Sequence, residues 1–153
     1  TFNVMKNDDY ENDLDTTKVK VARDYTGYKI LIVEDNKLNL KIAKRLVESK
    51  GFSVTTAENG EMACKKFQDS IENEFSTILM DIRMPIMDGL IATRVIRGLN
   101  RSDAKTVPII AMTANAFEED KEKTKEAGMN AHLAKPINTA ELFKTLDMFI
   151  TKS

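Results

Sequence analysis

The hydrophobic pattern from Tyr28 onward alternates between two kinds of segment. Short continuous apolar runs, of which 30–33 (ILIV) is the clearest, are typical of strands buried on both faces. Longer segments repeat apolar residues every three or four positions, which is typical of helices that pack one face against a sheet. The chain therefore predicts strands at 30–33, 52–57, 75–80, 107–112 and 131–134, with a helix after each.

Each predicted helix except the fourth has an apolar face that we expect to lie against the sheet. These faces consist of Leu38, Ile42 and Leu46 in the first helix, Ala63, Phe67 and Ile71 in the second, Ile91, Val95 and Leu99 in the third, with Leu90, Ala92 and Ile96 beside them, and Leu142, Leu146 and Phe149 in the last. The fourth helix, 117–127, is rich in charge and is expected to be a solvated helix. Gly51 and Gly128 are placed to end the first and fourth helices.

Strands that alternate with helices predict parallel pairing, with the connecting helices on both faces of the sheet. The two common arrangements are the Rossmann and flavodoxin types, and five strand–helix units in so short a chain favour the smaller, with strand order 2-1-3-4-5. We therefore predict an α/β, doubly wound, five-stranded parallel sheet in a flavodoxin-like three-layer sandwich. The partly polar strand at 52–57 fits the edge of that sheet.

The first 27 residues differ from the rest because their apolar residues are too scattered to mark a helix. We interpret 1–27 as a linker from a preceding domain and 28–153 as one folded domain. The alternation at 18–21 (KVKV) is a weak sign of a further strand within this leader.

Charge and cysteine content argue against several classes of function. The 153 residues include 23 basic and 24 acidic residues without a block of five or more like charges, which argues against nucleic-acid binding. A single cysteine, Cys64, can form neither an internal disulfide nor a zinc cluster, so a reducing, cytoplasmic location is expected. No apolar run is long enough to span a bilayer, so no direct membrane contact is expected.

Polar side chains follow four of the predicted strands. Glu34 and Asp35 come after the first strand and Asp81 after the third, while Thr113 and Lys135 come after the fourth and fifth. The carboxyl ends of parallel strands meet at the edge where open α/β sheets place their ligands. With strands roughly 4.8 Å apart, these side chains can converge around Asp81 on the central strand.

Three converging carboxylates require a counter-charge, because two like charges about 4 Å apart repel by about 4 kcal/mol at an effective dielectric of roughly 20. A hard divalent cation such as magnesium offsets this repulsion and leaves positions for a phosphoryl oxygen. The Thr113 hydroxyl and the Lys135 ammonium can then orient the other phosphoryl oxygens. Asp81 is thereby predicted to be a nucleophile that forms an aspartyl phosphate.

Four segments resemble the response-regulator receiver domain of two-component signalling. They are ILIVEDN (30–36), LMDIRMPIMDG (79–89), IIAMTANA (109–116) and AHLAKPI (131–137). The resemblance covers 28–150 and implies that Asp81 takes phosphate from a partner phosphohistidine. It also implies a magnesium ion, with manganese as an alternative, held by Asp35 and Asp81, by Glu34 mainly through water, and by the backbone carbonyl of Arg83.

The same resemblance assigns contacts with the phosphoryl oxygens to Thr113 and Lys135, and a cis peptide bond to the Lys135–Pro136 pair. One departure is His132, which stands three residues before Lys135, where the family commonly has a switching tyrosine or phenylalanine. Two interpretations stay open: a partly exposed histidine on a short strand, or a switch residue that rotates inward when Thr113 moves toward phosphate. On the second interpretation, its titration near neutral pH could couple switching to acidity.

The resemblance implies a histidine kinase domain or a histidine phosphotransfer protein as partner, and we expect a monomer or weak dimer. Such a domain catalyses only its own phosphorylation and dephosphorylation. The leader favours the C-terminal receiver of a hybrid sensor histidine kinase, tethered to the membrane or not, over a stand-alone regulator. An aspartyl-phosphate phosphatase is disfavoured because position 83 is arginine rather than a general acid, and a flavin carrier because 34–36 (EDN) would repel its phosphate.

Overall fold

The computed structural model describes residues 24–114 and 121–150. Its five strands are β1 (Lys29–Val33), β2 (Ser53–Ala57), β3 (Thr77–Asp81), β4 (Ile109–Thr113) and β5 (Ala131–Ala134). Its six helices are α1 (Lys37–Glu48), α2 (Gly60–Asp69), α3 (Gly89–Arg97), α4 (Ser102–Thr106), α5 (Lys121–Ala127) and α6 (Thr139–Phe149). None of the helices in these residues is long and apolar enough to cross a bilayer.

The five strands form one parallel sheet with the order β2-β1-β3-β4-β5. This confirms the predicted strand order and the predicted edge position of β2. β3 and β4 extend one residue further than the pattern indicated, so that Asp81 and Thr113 are themselves the last residues of their strands. Both side chains are therefore placed by ladder hydrogen bonds rather than by a loop.

The sheet separates two apolar cores, as expected for strands buried on both faces. Successive residues of β1 alternate between them: Leu31 and Val33 face the core that contains α2 and α3, while Ile30 and Ile32 face the core that contains α1 and α6. Leu142 and Leu146 of α6 are fully buried, which confirms the predicted face of the last helix.

The predicted apolar face is only partly correct in α1 and in α3. In α1, Leu38 and Ile42 are 66% and 46% exposed, whereas Ala43 and Val47 are buried. The apolar stripe is wider than the buried surface, and the smaller residues, rather than the longest ones, lie where the helix approaches the sheet most closely.

In α3 the buried face is displaced from the predicted centre of the stripe. There Ile91 and Val95, predicted as the centre of the stripe, are exposed, while Ala92 and Ile96 beside them are fully buried. Ile71 lies beyond the end of α2 and is also exposed, so it does not belong to the core.

The sequence pattern missed α4, whose five residues are too few to show a helical period. The predicted helix at 117–127 falls partly outside the described residues, and α5 accounts for its part from Lys121 onward. Gly128 follows α5 with a positive φ of 111°, as expected for a glycine that ends a helix. The predicted strand at 18–21 lies outside the described residues.

Tyr25 packs into the domain core although it precedes β1. Its ring is 1% exposed and stacks on Phe52 with ring centroids 4.4 Å apart. Its backbone N–H donates to the carbonyl of Lys50 at 2.7 Å, and its hydroxyl donates to the carboxylate of Asp147 in α6. The boundary at residue 27 remains a prediction, but the chain already contributes to the core two residues before it.

Candidate functional site

The carboxyl edge of the sheet brings three carboxylates together. Glu34 and Asp35 directly follow β1, and Asp81 ends the neighbouring strand β3, where Val33 pairs with Met80. One carboxylate oxygen from each of Glu34, Asp35 and Asp81 lies within 4.8 Å of the others. Glu34 and Asp81 are buried, whereas Asp35 is exposed to solvent.

Lys135 reaches the same cluster from beyond β5. Its ammonium Nζ lies 2.9 Å from Glu34 Oε1 and 3.0 Å from Asp81 Oδ2. Its backbone N–H donates to the Thr113 carbonyl at 2.8 Å, which ties the end of β5 to the end of β4. The peptide bond between Lys135 and Pro136 is cis, as the sequence resemblance implied.

The site is electrostatically strained at Asp81. Burial, followed by the charge of Glu34, raises the pKa of Asp81 to about 7, although Lys135 acts in the opposite direction. Burial of Lys135 opposes its charge, but its contacts with the carboxylates of Glu34 and Asp81 prevail and raise the pKa of its ammonium. The cluster is thus a buried pair of carboxylates that share one cation.

A cation fits this donor set. Within the described residues, Asp81 Oδ2 is buried without a hydrogen-bond partner, so its 3.0 Å contact with Lys135 Nζ is an ion pair only. Three carboxylates that offer oxygen atoms to one point are ligands of the type that magnesium prefers. A second cation would also relieve the charge imbalance that the Lys135 ammonium leaves.

Backbone groups hold the two buried carboxylates in place. The Arg83 N–H donates to Asp81 Oδ1 at 3.3 Å, and the Asn36 N–H donates to Glu34 Oε2 at 3.1 Å. Asn36 also caps α1, since its side chain accepts a hydrogen bond from the N–H of Asn39.

Gly89 shapes the site because it has no side chain. A Cβ at this position would lie 2.2 Å from the backbone oxygen of Asp81. Its N–H donates to the Ile82 carbonyl at 2.8 Å, and Asp88 before it caps α3. The available signal was the Asp88–Gly89 pair, which starts α3 directly behind Asp81.

Thr113 and His132 lie on the same face of adjacent strands. Ala111 pairs with His132, and Thr113 is two residues further along β4, so its side chain points to the same side as that of Ala111. His132 is half-buried, and its Nε2 lies 2.9 Å from the Thr124 hydroxyl oxygen. The same hydroxyl oxygen lies 2.9 Å from the Lys121 carbonyl oxygen, so Thr124 links His132 to the first turn of α5.

The chain matches known proteins over most of its length. Residues 30–147 match the family model described as "Response regulator receiver domain". "Hybrid signal transduction histidine kinase I" of Dictyostelium discoideum is 40% identical over 126 residues, which is 81% of this chain and 7% of that relative. "Probable histidine kinase 1" of Oryza sativa subsp. indica is 36% identical over 87% of this chain and 16% of its own length. This chain therefore spans a small part of the relatives that it resembles.

Solved structures share the fold as well as the sequence. The receiver domain of sensor histidine kinase PA1611 from Pseudomonas aeruginosa, with a magnesium ion coordinated in its active site cleft, has a TM-score of 0.74 and 41% identity, covering 82% of this chain and 98% of that domain. The Saccharomyces cerevisiae Ssk1 receiver domain, crystallised with the histidine phosphotransfer protein Ypd1, has a TM-score of 0.71 and 30% identity, covering 85% of this chain and 91% of that one.

Proposed function

This chain belongs to the response regulator receiver domain family of two-component signalling, and we propose that Asp81 is the residue that accepts the phosphoryl group. One observation supports this role above all: Glu34, Asp35 and Asp81 converge with the Lys135 ammonium at one edge of the sheet. Asp81 ends β3, the central strand of that sheet.

In the proposed reaction, a carboxylate oxygen of Asp81 attacks the phosphorus atom of a phosphohistidine. A P–O bond to Asp81 forms while the P–N bond breaks, and the imidazole nitrogen leaves with the electron pair of that bond and takes up a proton. His132 is the sole histidine of the sequence, so the donor histidine belongs to another stretch of protein.

The proposed metal ligands are the carboxylates of Asp35 and Asp81, Glu34 mainly through water, and the backbone carbonyl of Arg83. Magnesium bound there would offset the negative charge that develops on the transferred phosphoryl group, and manganese accepts the same oxygen ligands. Burial of Glu34 and Asp81 strengthens the attraction of this cluster for a cation, because charges interact more strongly away from water.

Lys135 and Thr113 are proposed to orient the phosphoryl oxygens. The Lys135 ammonium already lies 3.0 Å from Asp81 Oδ2, so a phosphoryl oxygen on Asp81 would come within its reach. Thr113 is buried at the end of the adjacent strand, and its carbonyl accepts the Lys135 N–H. This backbone hydrogen bond therefore holds Thr113 and Lys135 next to each other at the ends of β4 and β5.

We extend the proposal to a switch that links Thr113 and His132. The two side chains share one face of the sheet, and His132 Nε2 lies within hydrogen-bond distance of the Thr124 hydroxyl in α5. Movement of Thr113 toward a phosphoryl group would leave space on that face for the imidazole to turn inward, which would release Thr124. If phosphorylation changes the amide spectrum of a His132→Ala variant as fully as that of the parent, His132 is not the switch.

The proposed partner is a histidine kinase domain or a histidine phosphotransfer protein, bound by a monomer or weak dimer of this chain. Leu38 and Ile42 are exposed on α1, and Ile42 lines a cavity of about 60 Å³ together with Lys135 and Pro136. An apolar surface directly beside the phosphoacceptor suits a transient protein contact. We further propose that the chain is a receiver domain within the cytoplasmic part of a hybrid histidine kinase. A stand-alone regulator is the alternative.

Acetyl phosphate tests the phosphoacceptor directly. The purified chain with magnesium should gain the mass of one phosphoryl group, and hydroxylamine should remove it because an acyl phosphate is cleaved by this reagent. Asp81→Asn should gain none. Asp69→Asn, which removes an exposed carboxylate on α2, should behave as the parent. Labelling of Asp81→Asn, or equal labelling after magnesium is chelated, would contradict the proposal.

A further inference from the structure

Within the described residues, the buried side chains of α5 lie in its second half. Its buried side chains are Thr124 and Ala127, and Met129 just after the helix is also buried, whereas Lys121 and Glu122 in the first turn are exposed. A helix with so little buried apolar surface depends on polar contacts for its position.

Arg97, the last residue of α3, supplies several of those contacts. Its guanidinium donates twice to the Gly128 carbonyl, from Nε at 3.1 Å and from Nη2 at 2.7 Å. Nη1 donates to the Ala104 carbonyl in α4 at 3.0 Å, and Nη2 also donates to Asn130 Oδ1 at 3.0 Å. One side chain thus joins α3, α4 and the segment after α5.

The same contacts reach the strand that carries Thr113. Asn130 Oδ1 accepts the Ile109 N–H at 2.8 Å, and the Asn130 N–H donates to the Ile109 carbonyl at 2.8 Å. Ile109 is the first residue of β4, and Thr113 is the last. Gly128 is packed so closely that an added Cβ would lie 2.9 Å from Arg97 Cγ.

We infer that Arg97 is the pivot of α5: its guanidinium fixes the C-terminal end of the helix and the start of β4, so that a change beginning at Thr113 and His132 displaces only the N-terminal part of α5. We call the hydrogen bonds of Arg97 to Gly128, Asn130 and Ala104 the clamp. The proposed motion rests on the proposed function, whereas the clamp does not. Thr124, which His132 contacts, lies four residues before Gly128 and so on the N-terminal side of the pivot.

Amide hydrogen exchange measured by NMR tests the clamp in the unmodified protein. The Gly128 and Met129 N–H groups donate to the carbonyls of Lys125 and Thr124 at 3.0 Å. Arg97→Met keeps the aliphatic stem but removes the charged donors, so exchange at these two amides should accelerate about tenfold or more. Arg94→Met is the matched control, since Arg94 is exposed on the same helix; exchange there should stay within about twofold of the parent. Unchanged exchange at Gly128 and Met129 in Arg97→Met would overturn the clamp.

Beryllofluoride with magnesium, a mimic of a phosphorylated carboxylate, tests the pivot. In the parent, exchange and chemical shifts should change at 121–124 and His132 and stay nearly constant at Gly128 and Met129. In Arg97→Met the changes should spread through the whole of α5, a result that a merely stabilising arginine would not produce. A parent in which Gly128 and Met129 change as much as Lys121 would overturn the pivot alone. Failure of Asp81 to bind beryllofluoride, seen by fluorine NMR, would instead overturn the proposed function together with the motion.

Discussion

Two buried aspartates in this domain differ in how completely their carboxylates are hydrogen-bonded. Asp103 in α4 accepts hydrogen bonds from Arg101 Nε at 2.7 Å and Nη2 at 2.8 Å, and from the Asn73 N–H at 2.8 Å. Asp81 has one backbone donor at 3.3 Å, and its other oxygen has an ion-pair contact with Lys135 and no hydrogen bond within the described residues. Both carboxylates are at most 4% exposed, so their contact with solvent is similarly small.

Their pKa values shift in opposite directions for this reason. The hydrogen bonds from Arg101 hold the pKa of Asp103 below its usual range, whereas burial raises the pKa of Asp81 to about 7. The Arg101 guanidinium makes further contacts: it donates to the carbonyls of Phe67 and Ser70, and its Cζ lies 4.7 Å from the centre of the Phe67 ring. One site completes its hydrogen bonds and stabilises the fold, while the other leaves an oxygen available for reaction.

The largest expected effect is that of Asp81→Asn. It should abolish phosphoryl incorporation and at the same time raise the free energy of unfolding, by about 1 to 3 kcal/mol, because it removes a buried and incompletely paired charge. Acetyl phosphate labelling and urea unfolding measure the two quantities. A variant that loses both labelling and stability would show that Asp81 supports the fold as Asp103 does.

Asp103→Asn should show the reverse behaviour. Removing one partner of a buried ion pair should lower the free energy of unfolding by about 2 to 4 kcal/mol, toward the lower end because Arg101 keeps its carbonyl acceptors. Urea unfolding gives the loss, and Asp81 labelling of the remaining folded protein should equal that of the parent. Lost labelling in the folded fraction would mean that the two regions are coupled.

The pH dependence of stability should separate the parent from Asp103→Asn. A lowered pKa in the folded state means that the contribution of Asp103 is complete above the unfolded pKa of about 3.9 and is lost as the pH falls through the lower folded value. The difference in unfolding free energy between the two proteins should therefore be constant between about pH 5 and pH 8 and shrink below about pH 4. A difference that grows on acidification would contradict the assignment.

The smallest effect is expected at Tyr25, whose hydroxyl donates to a third carboxylate, that of Asp147. Tyr25→Phe keeps the stacked ring and should cost about 1 kcal/mol of unfolding free energy, with no change in Asp81 labelling. Tyr28→Phe is the matched control, because the Tyr28 ring lies beside that of Tyr25 in an edge contact and is half-buried. Equal costs for both variants would show that the Asp147 contact adds nothing.

The sequence was sufficient for the strand order and for the convergence at the carboxyl edge. Both follow from where polar residues interrupt apolar runs. Because the strands are parallel, the residues that follow them, Glu34, Asp81 and Lys135, all lie at the same edge of the sheet. The pattern could not show that Lys135 divides its charge between two carboxylates, because this depends on side-chain reach across two strands.

Other features depend on packing that periodicity does not record. Leu38 and Ile42 carry the same pattern as a buried face, yet Ala43 and Val47 occupy it, since the distance between helix and sheet decides which side chains fit. α4 is held by the Arg101–Asp103 pair rather than by an apolar stripe, and so gave no helical signal. Tyr25 was assigned to the leader because its partners, Phe52 and Asp147, are distant in sequence.

The place of Tyr25 determines from which side the preceding chain enters. Tyr25 is bonded to Lys50 at the amino ends of the strands, and the five residues of β1 separate that end from Glu34 by roughly 16 Å. The chain therefore enters the described domain at the end of the sheet opposite Asp81. The point of attachment thus does not itself cover the carboxyl edge of the sheet around Asp81.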